Sequence, residues 1–224
     1  MKPGSGAPES KSSPESTLIS EVFHSLSQPL TALHCSLDLA LRRDRTLQQL
    51  RASVQTALDN AERLRQRLLL IRALNDAADP GDVSQAIDLS ALLRELGEDM
   101  LPLFESAERT LELQIDCGPL LVRADKAKLA QALFCFLEYL FRYLPERGRL
   151  AICLDRCGGE QAEIKIDTAS CLPVAPGEEA AASPYSCEIE LVRRTLVAAG
   201  GEFGLLSCTE GRSVWRAALP LAQA

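Results

Sequence analysis

The stretch Phe23-His24-Ser25-Leu26-Ser27-Gln28-Pro29-Leu30-Thr31-Ala32-Leu33 sets one histidine on a helix with two chemically distinct sides. Ile19, Val22, Leu26, Leu30, Leu33 and Leu37 recur at steps of three and four, the spacing that aligns one stripe of an α-helix. Ser20, His24, Gln28 and Thr31 fall on another face. The pattern predicts a helix from about 15 to 43, with the histidine on its polar side. The break Arg42-Arg43-Asp44-Arg45-Thr46 follows, where Thr46 is placed to cap a second helix. In that helix Leu47, Leu50, Val54, Ala57, Ala61, Leu64, Leu68 and Ile71 form an unbroken heptad seam. A hairpin alone cannot bury both apolar stripes. Pairing with a second copy into a four-helix bundle does, so a homodimer is expected.

The whole chain has 224 residues, 46% of them hydrophobic, which is enough for one or two packed domains. Its net charge is −7 and its Lys and Arg residues are scattered, which argues against a phosphate-backbone binder, so no nucleic-acid partner is expected. No run of apolar residues is long enough to cross a bilayer, and the first residues have no signal-peptide core. A cytoplasmic location is the expectation. The eight cysteines form no CxxC pair, and several stand among apolar neighbours, so they read as reduced thiols. Cys153 and Cys157 have no histidine near them in sequence and read as strand and turn rather than metal ligands. His34, flanked one turn away by Thr31 and Asp38, reads as an ordinary satisfied side chain.

Beyond the hairpin the chain changes character. Residues 1–14, rich in Ser, Pro, Gly and Lys, are expected to be a disordered leader, and 15–78 the helical hairpin. Asp79-Pro80-Gly81 opens a linker over 79–88. A second domain is expected over 89–222. Its predicted elements are a helix at about 89–106, a strand at 111–116, a helix at 125–144 and strands at 149–155 and 162–167. After a loop come a helix at 186–199, the turn Gly200-Gly201, and strands at 202–208 and 213–219. Strands and helices that mix without regular alternation predict an α+β sandwich, with helices on one face of a mixed sheet.

The segment HSLSQPL resembles the phosphoacceptor box of two-component sensor histidine kinases, which runs His, acidic residue, Leu, two variable residues, Pro, Leu. His24, Leu26, Pro29 and Leu30 match, Gln28 is of a type found at its position, and Ser25 stands where the family has Glu or Asp. The second half resembles the ATP-binding domain of the same kinases. Asp125, Leu129, Tyr143 and Pro145 fit the segment that carries the family's Asn box, and residues 189–221 match the closing helix, Gly-Gly turn and final hairpin. Together the two likenesses cover roughly residues 15–222. The fold they imply is a dimeric four-helix bundle followed by a Bergerat-type α+β sandwich.

Carried over position by position, the nucleotide chemistry is degraded. Cys135 and Tyr139 stand where the family's two asparagines present oxygens to Mg²⁺, a cation that demands such ligands. Asp167 matches the adenine-binding Asp and is the one residual adenine contact, but Ala169 and Cys171 replace the glycines that follow. Where a Gly-rich turn would face the phosphates stand Ser186, Cys187 and Glu188, and the lid equivalent adds Glu178 and Glu179 without a Lys or Arg. Phosphoryl transfer from ATP depends on metal, positioning and electrostatics, so no cofactor is expected. Accepting a phosphoryl group from an aspartyl phosphate asks for less, because that donor is reactive and the regulator supplies its own Mg²⁺ and Lys. The histidine has only to offer a neutral exposed nitrogen, as an imidazole does near pH 7.

The resemblance therefore implies a two-component phosphorelay protein, a histidine phosphotransferase similar to those of the ChpT type. It would be a phosphoprotein whose catalytic set is His24 as phosphoacceptor with Gln28 and Ser25 beside it, and whose partner is a response-regulator receiver domain. Two alternatives stay open. One is an active histidine autokinase with an aberrant pocket, which would use Mg-ATP. The other is a catalytically silent pseudokinase scaffold, or a phosphatase-like regulator, that binds a kinase or receiver and uses Gln28 to position a water.

Overall fold

The computed structural model describes residues 14–41, 46–77, 85–169, 186–209 and 211–222. Apart from Pro14, the expected leader lies outside them, as do the lid equivalent, Cys171 and the linker residues 79–84. The chain divides into two compact units, Met1–Leu68 with Tyr185–Cys187, and Leu69–Pro184 with Glu188–Ala224. No helix among the described residues is long and apolar enough to cross a membrane.

The first unit is built on α1 (Pro14–Leu41) and most of α2 (Leu47–Asp76). Thr46 caps α2 as its sequence suggests. Its hydroxyl accepts from Gln49 N at 3.3 Å while Gln49 Oε1 accepts from Thr46 N at 3.2 Å, a reciprocal capping box. Inside α1, Pro29 has no N–H to give the Ser25 carbonyl one turn back, yet the helix continues through it. The apolar stripe of α1 is only partly covered within the chain. Val22, Leu26 and Leu33 are half-buried, whereas Ile19, Leu30 and Leu37 are exposed.

The second unit runs β1 (Ala86–Asp88), α3 (Leu89–Ser106), β2 (Thr110–Gln114), β3 (Leu121–Arg123), α4 (Lys126–Tyr143), β4 (Arg149–Cys157) and β5 (Gln161–Thr168). It closes with α5 (Cys187–Ala198), β6 (Glu202–Thr209) and β7 (Arg212–Pro220). The main sheet has the order β2-β4-β5-β7-β6, with β2 parallel to β4 and the other neighbours antiparallel. It is a mixed sheet, as the uneven alternation of elements implied. The short strands β1 and β3 pair antiparallel in a second small sheet, and the sequence reading has neither. Three-residue strands carry too little period-two signal to be seen, and β1 falls where a linker was expected.

Helix starts follow from side chains. Asp88 caps α3 by accepting from Ser90 N, and Asp125 caps α4 by accepting from Ala127 N and Lys128 N. Leu92, Leu93, Leu96, Met100 and Phe104 of α3 and Leu129, Leu133, Phe136, Leu137 and Leu140 of α4 are all buried. Trp215 on β7 is buried in an aromatic cluster: its ring lies 5.3 Å from Phe136 edge-on and 5.5 Å from Phe203 in a stack.

The turn after α5 requires its two glycines for different reasons. Gly200 has φ 75°, and Gly200 N bonds Val197 O at 2.9 Å while Gly201 N bonds Leu196 O at 2.8 Å, a Schellman C-cap. Gly201 needs space instead, since a Cβ there would lie 2.3 Å from Ala218 O and 2.8 Å from Leu219 Cδ2. Backbone cannot yield as a side-chain tip does. Gly201→Ala is expected to cost roughly 1–3 kcal/mol through forced displacement of β7, read as a lowered urea midpoint at unchanged slope.

Candidate functional site

His24 stands exposed on α1, with its Nε2 2.8 Å from the side-chain nitrogen of Gln28 one turn on. The spacing of four residues makes this contact possible, because such positions lie one above the other on a helix. With the Gln28 amide nitrogen as donor, Nε2 accepts, and the ring proton then sits on Nδ1. Gln28 thus holds the imidazole in the tautomer whose Nε2 carries the lone pair. Ser25 takes no part in that contact. Its hydroxyl donates to Val22 O at 2.9 Å, back along its own helix. His34 is exposed on the same helix.

In the second unit, Cys135 and Tyr139 lie one turn apart on α4, both half-buried. Burial, reinforced by the negative charges of Glu138 and Glu188, pushes the Cys135 thiol up to about 11. It is therefore a neutral thiol at pH 7, a poor ligand for any metal and a worse one for Mg²⁺. The Tyr139 ring sits edge-on to Tyr143 at 5.0 Å, with the Arg142 guanidinium 5.6 Å from its centroid. Among the described residues no cluster of His, Cys, Asp or Glu could hold a metal ion, and Cys153 and Cys157 are free thiols.

Glu188 lies in the first turn of α5 and is buried, and Arg142 of α4 donates to its Oε1 at 2.5 Å. The sequence reading saw the carboxylate but not its counter-cation. Arg142, three residues past Tyr139 and thus on the same side of α4, was the available signal.

Asp167 sits on the face of the sheet turned away from α4. Ile166 pairs with Trp215, whose ring meets Phe136 of α4, so Ile166 and its alternates Ile164 and Thr168 point to the helices. Glu163, Lys165 and Asp167 point the other way. Arg212 donates from Nε to one Asp167 oxygen at 2.8 Å and from a terminal nitrogen to the other. That guanidinium holds the Asp167 carboxyl below its ordinary range despite partial burial. The alternation of Ala162, Ile164 and Ile166 with Glu163 and Lys165 carries this facing in the sequence.

Mg-ATP does not fit these residues. At the positions that the resemblance assigns to metal-binding oxygens stand a neutral thiol and a phenol ring, the first turn of α5 holds a carboxylate, and Asp167 is engaged by Arg212 on the other face of the sheet.

The sequence matches no family model and no curated protein. Solved structures do match. The histidine kinase AdeS of Acinetobacter baumannii aligns with a TM-score of 0.68 at 16% identity, over 89% of this chain and 98% of that one. Histidine kinase ThkA, in complex with the response regulator TrrA, aligns at 0.69 and 14% identity, over 92% of this chain and 61% of that one. Full-length ShkA in complex with AMPPNP aligns at 0.61 and 18% identity, over 95% of this chain and 47% of that one. This chain thus spans about half to two thirds of the length of the last two. At such identities the likeness is one of fold, shared with these structures.

Proposed function

We propose that the protein is a histidine phosphotransferase of two-component signalling, in which His24 exchanges a phosphoryl group with the aspartate of a response-regulator receiver domain. The observation that carries this reading is the pairing of an exposed, Gln28-held imidazole with a kinase-like fold in which a Glu188 carboxylate clamped by Arg142, and an Asp167 held by Arg212, stand where the resemblance puts nucleotide contacts. A lone pair on His24 displaces the aspartyl carboxylate from phosphorus, so that one P–N bond forms, the acyl P–O bond breaks and the carboxylate leaves. Freeing Nε2 costs one exposed hydrogen bond, about 1 kcal/mol, which is no barrier to turnover. The complex of ThkA with TrrA supports a receiver as the partner. The test is transfer from a phosphorylated receiver to the wild-type protein and to His24→Ala.

A second reading, an autokinase, is favoured by the likeness to a kinase bound to a nucleotide analogue. Incubation with γ-labelled Mg-ATP separates the two. His24-dependent, acid-labile label would establish the autokinase, and no label is the expected result. A scaffold would show neither label nor transfer.

The same reading makes the protein a dimer. On α2, Leu47, Leu50, Val54 and Leu68 of the heptad seam are all exposed within one chain, Leu47 by 65% and Val54 by 52%. A second copy brings an identical stripe, which is what a two-fold bundle needs. Leu50→Lys with Val54→Lys is expected to convert a dimer at micromolar concentration to a monomer, read by light scattering after size exclusion.

A further inference from the structure

We infer that Glu188, clamped by Arg142, is a built-in anion that occupies the phosphate position of the nucleotide site and makes the second unit independent of nucleotide. The inference extends the proposed function and rests on it only for the correspondence of α4 and α5 with the nucleotide-contacting helices of the kinases.

A helix N-terminus carries partial positive charge from first-turn N–H groups, and a carboxylate in that turn satisfies it. Glu188 is in the first turn of α5 with a side chain only 6% exposed, so its charge is compensated within the protein. Arg142 provides that compensation from the last turn of α4, while its own side chain remains 45% exposed. One pair thereby links the last turn of α4 to the first turn of α5. The thiol of Cys135, itself pushed up partly by Glu188, adds no charge to the arrangement. A triphosphate arriving here would meet a buried carboxylate of its own sign, and the only cation of the pair is already spent on it. Aromatic packing of Arg142 over Tyr139, and of Tyr139 on Tyr143, continues the same closure along α4.

The pair makes a reciprocal prediction. Removing the carboxylate leaves a helix N-terminus beside an unpaired guanidinium, which is an anion site; removing the guanidinium leaves the anion in place. Thermal unfolding of the full chain is read for wild type, Glu188→Gln, Arg142→Met and the double variant, each with and without millimolar Mg-ATP or sodium tripolyphosphate. Wild type is expected to be unmoved by either compound. Each single variant should unfold roughly 5–10 °C lower, and the double variant no lower than the worse single one, because both remove the same pair. Tripolyphosphate should restore several degrees to Glu188→Gln and nothing to Arg142→Met. Stabilisation of wild type by Mg-ATP, single variants as stable as wild type, additive losses, or a Glu188→Gln protein deaf to tripolyphosphate would each overturn the inference. Should Glu188→Gln fail to fold, Arg142→Met decides alone: it must lose stability and stay silent to both compounds. Stabilisation of wild type by Mg-ATP would undo the premise that both readings share, whereas the other adverse results would overturn this inference alone, and failure of transfer to His24 leaves it standing.

Discussion

Replacing His24 by alanine is expected to abolish acceptance of a phosphoryl group from a phosphorylated receiver, by at least about 10³-fold relative to wild type. The size of the effect follows from the chemistry: without the imidazole the neighbouring side-chain nitrogen is that of the Gln28 amide, which is not nucleophilic, and Ser25 has its hydroxyl turned back to Val22 O. Gln28→Ala serves as the graded control. It removes the contact that holds Nε2 as acceptor but leaves the nucleophile, so the rate should fall by about tenfold rather than vanish. Rapid-quench transfer from a labelled receiver, with acid lability separating phosphohistidine from aspartyl phosphate, reads both variants. Equal transfer to wild type and His24→Ala would sink the assignment.

The second large effect is structural. Trp215→Ala is expected to destabilise the second unit by about 3–5 kcal/mol and to lower its unfolding temperature by roughly 10–15 °C. Trp215 is almost wholly buried, and its removal opens a void against Phe136 and Phe203, whose rings are also held by one another at 5.1 Å and cannot both collapse into it. The indole N–H is buried without a partner among the described residues, which adds a test. Trp215→Phe deletes that N–H together with part of the ring. Relief of an unsatisfied donor, about 1–3 kcal/mol, offsets the lost volume, so this variant should stay near wild type. Far-UV circular dichroism is the right probe, because Trp215 is the chain's single tryptophan and fluorescence disappears with it. Equal destabilisation by Phe and Ala would show that the N–H is satisfied after all.

Helix limits in this chain were legible because they are local. The capping box at Thr46 and Gln49, the caps Asp88 and Asp125, and the Gly200-Gly201 stop each act within three or four residues of the end they define. The main strands were found within about two residues, since their alternation is strong. The strands β1 and β3 were not. Each is three residues long and exists because the other pairs with it across more than thirty residues of chain.

The candidate site divides along the same line. The sequence by itself determined that His24 has Gln28 as its neighbour, because a helix repeats every 3.6 residues and four steps bring two side chains together. It also determined that the two positions which the resemblance assigns to metal-binding carboxamides offer none, because Cys135 and Tyr139 cannot become carboxamides in any fold. Tertiary structure alone decided what filled the gap. Arg142 and Glu188 are 46 residues apart, and Asp167 and Arg212 are 45 apart, so neither pair exists until α4 meets α5 and β5 meets β7. The face on which Asp167 stands is a matter of register, and a one-residue choice in a strand turns a side chain from the helices to the opposite side.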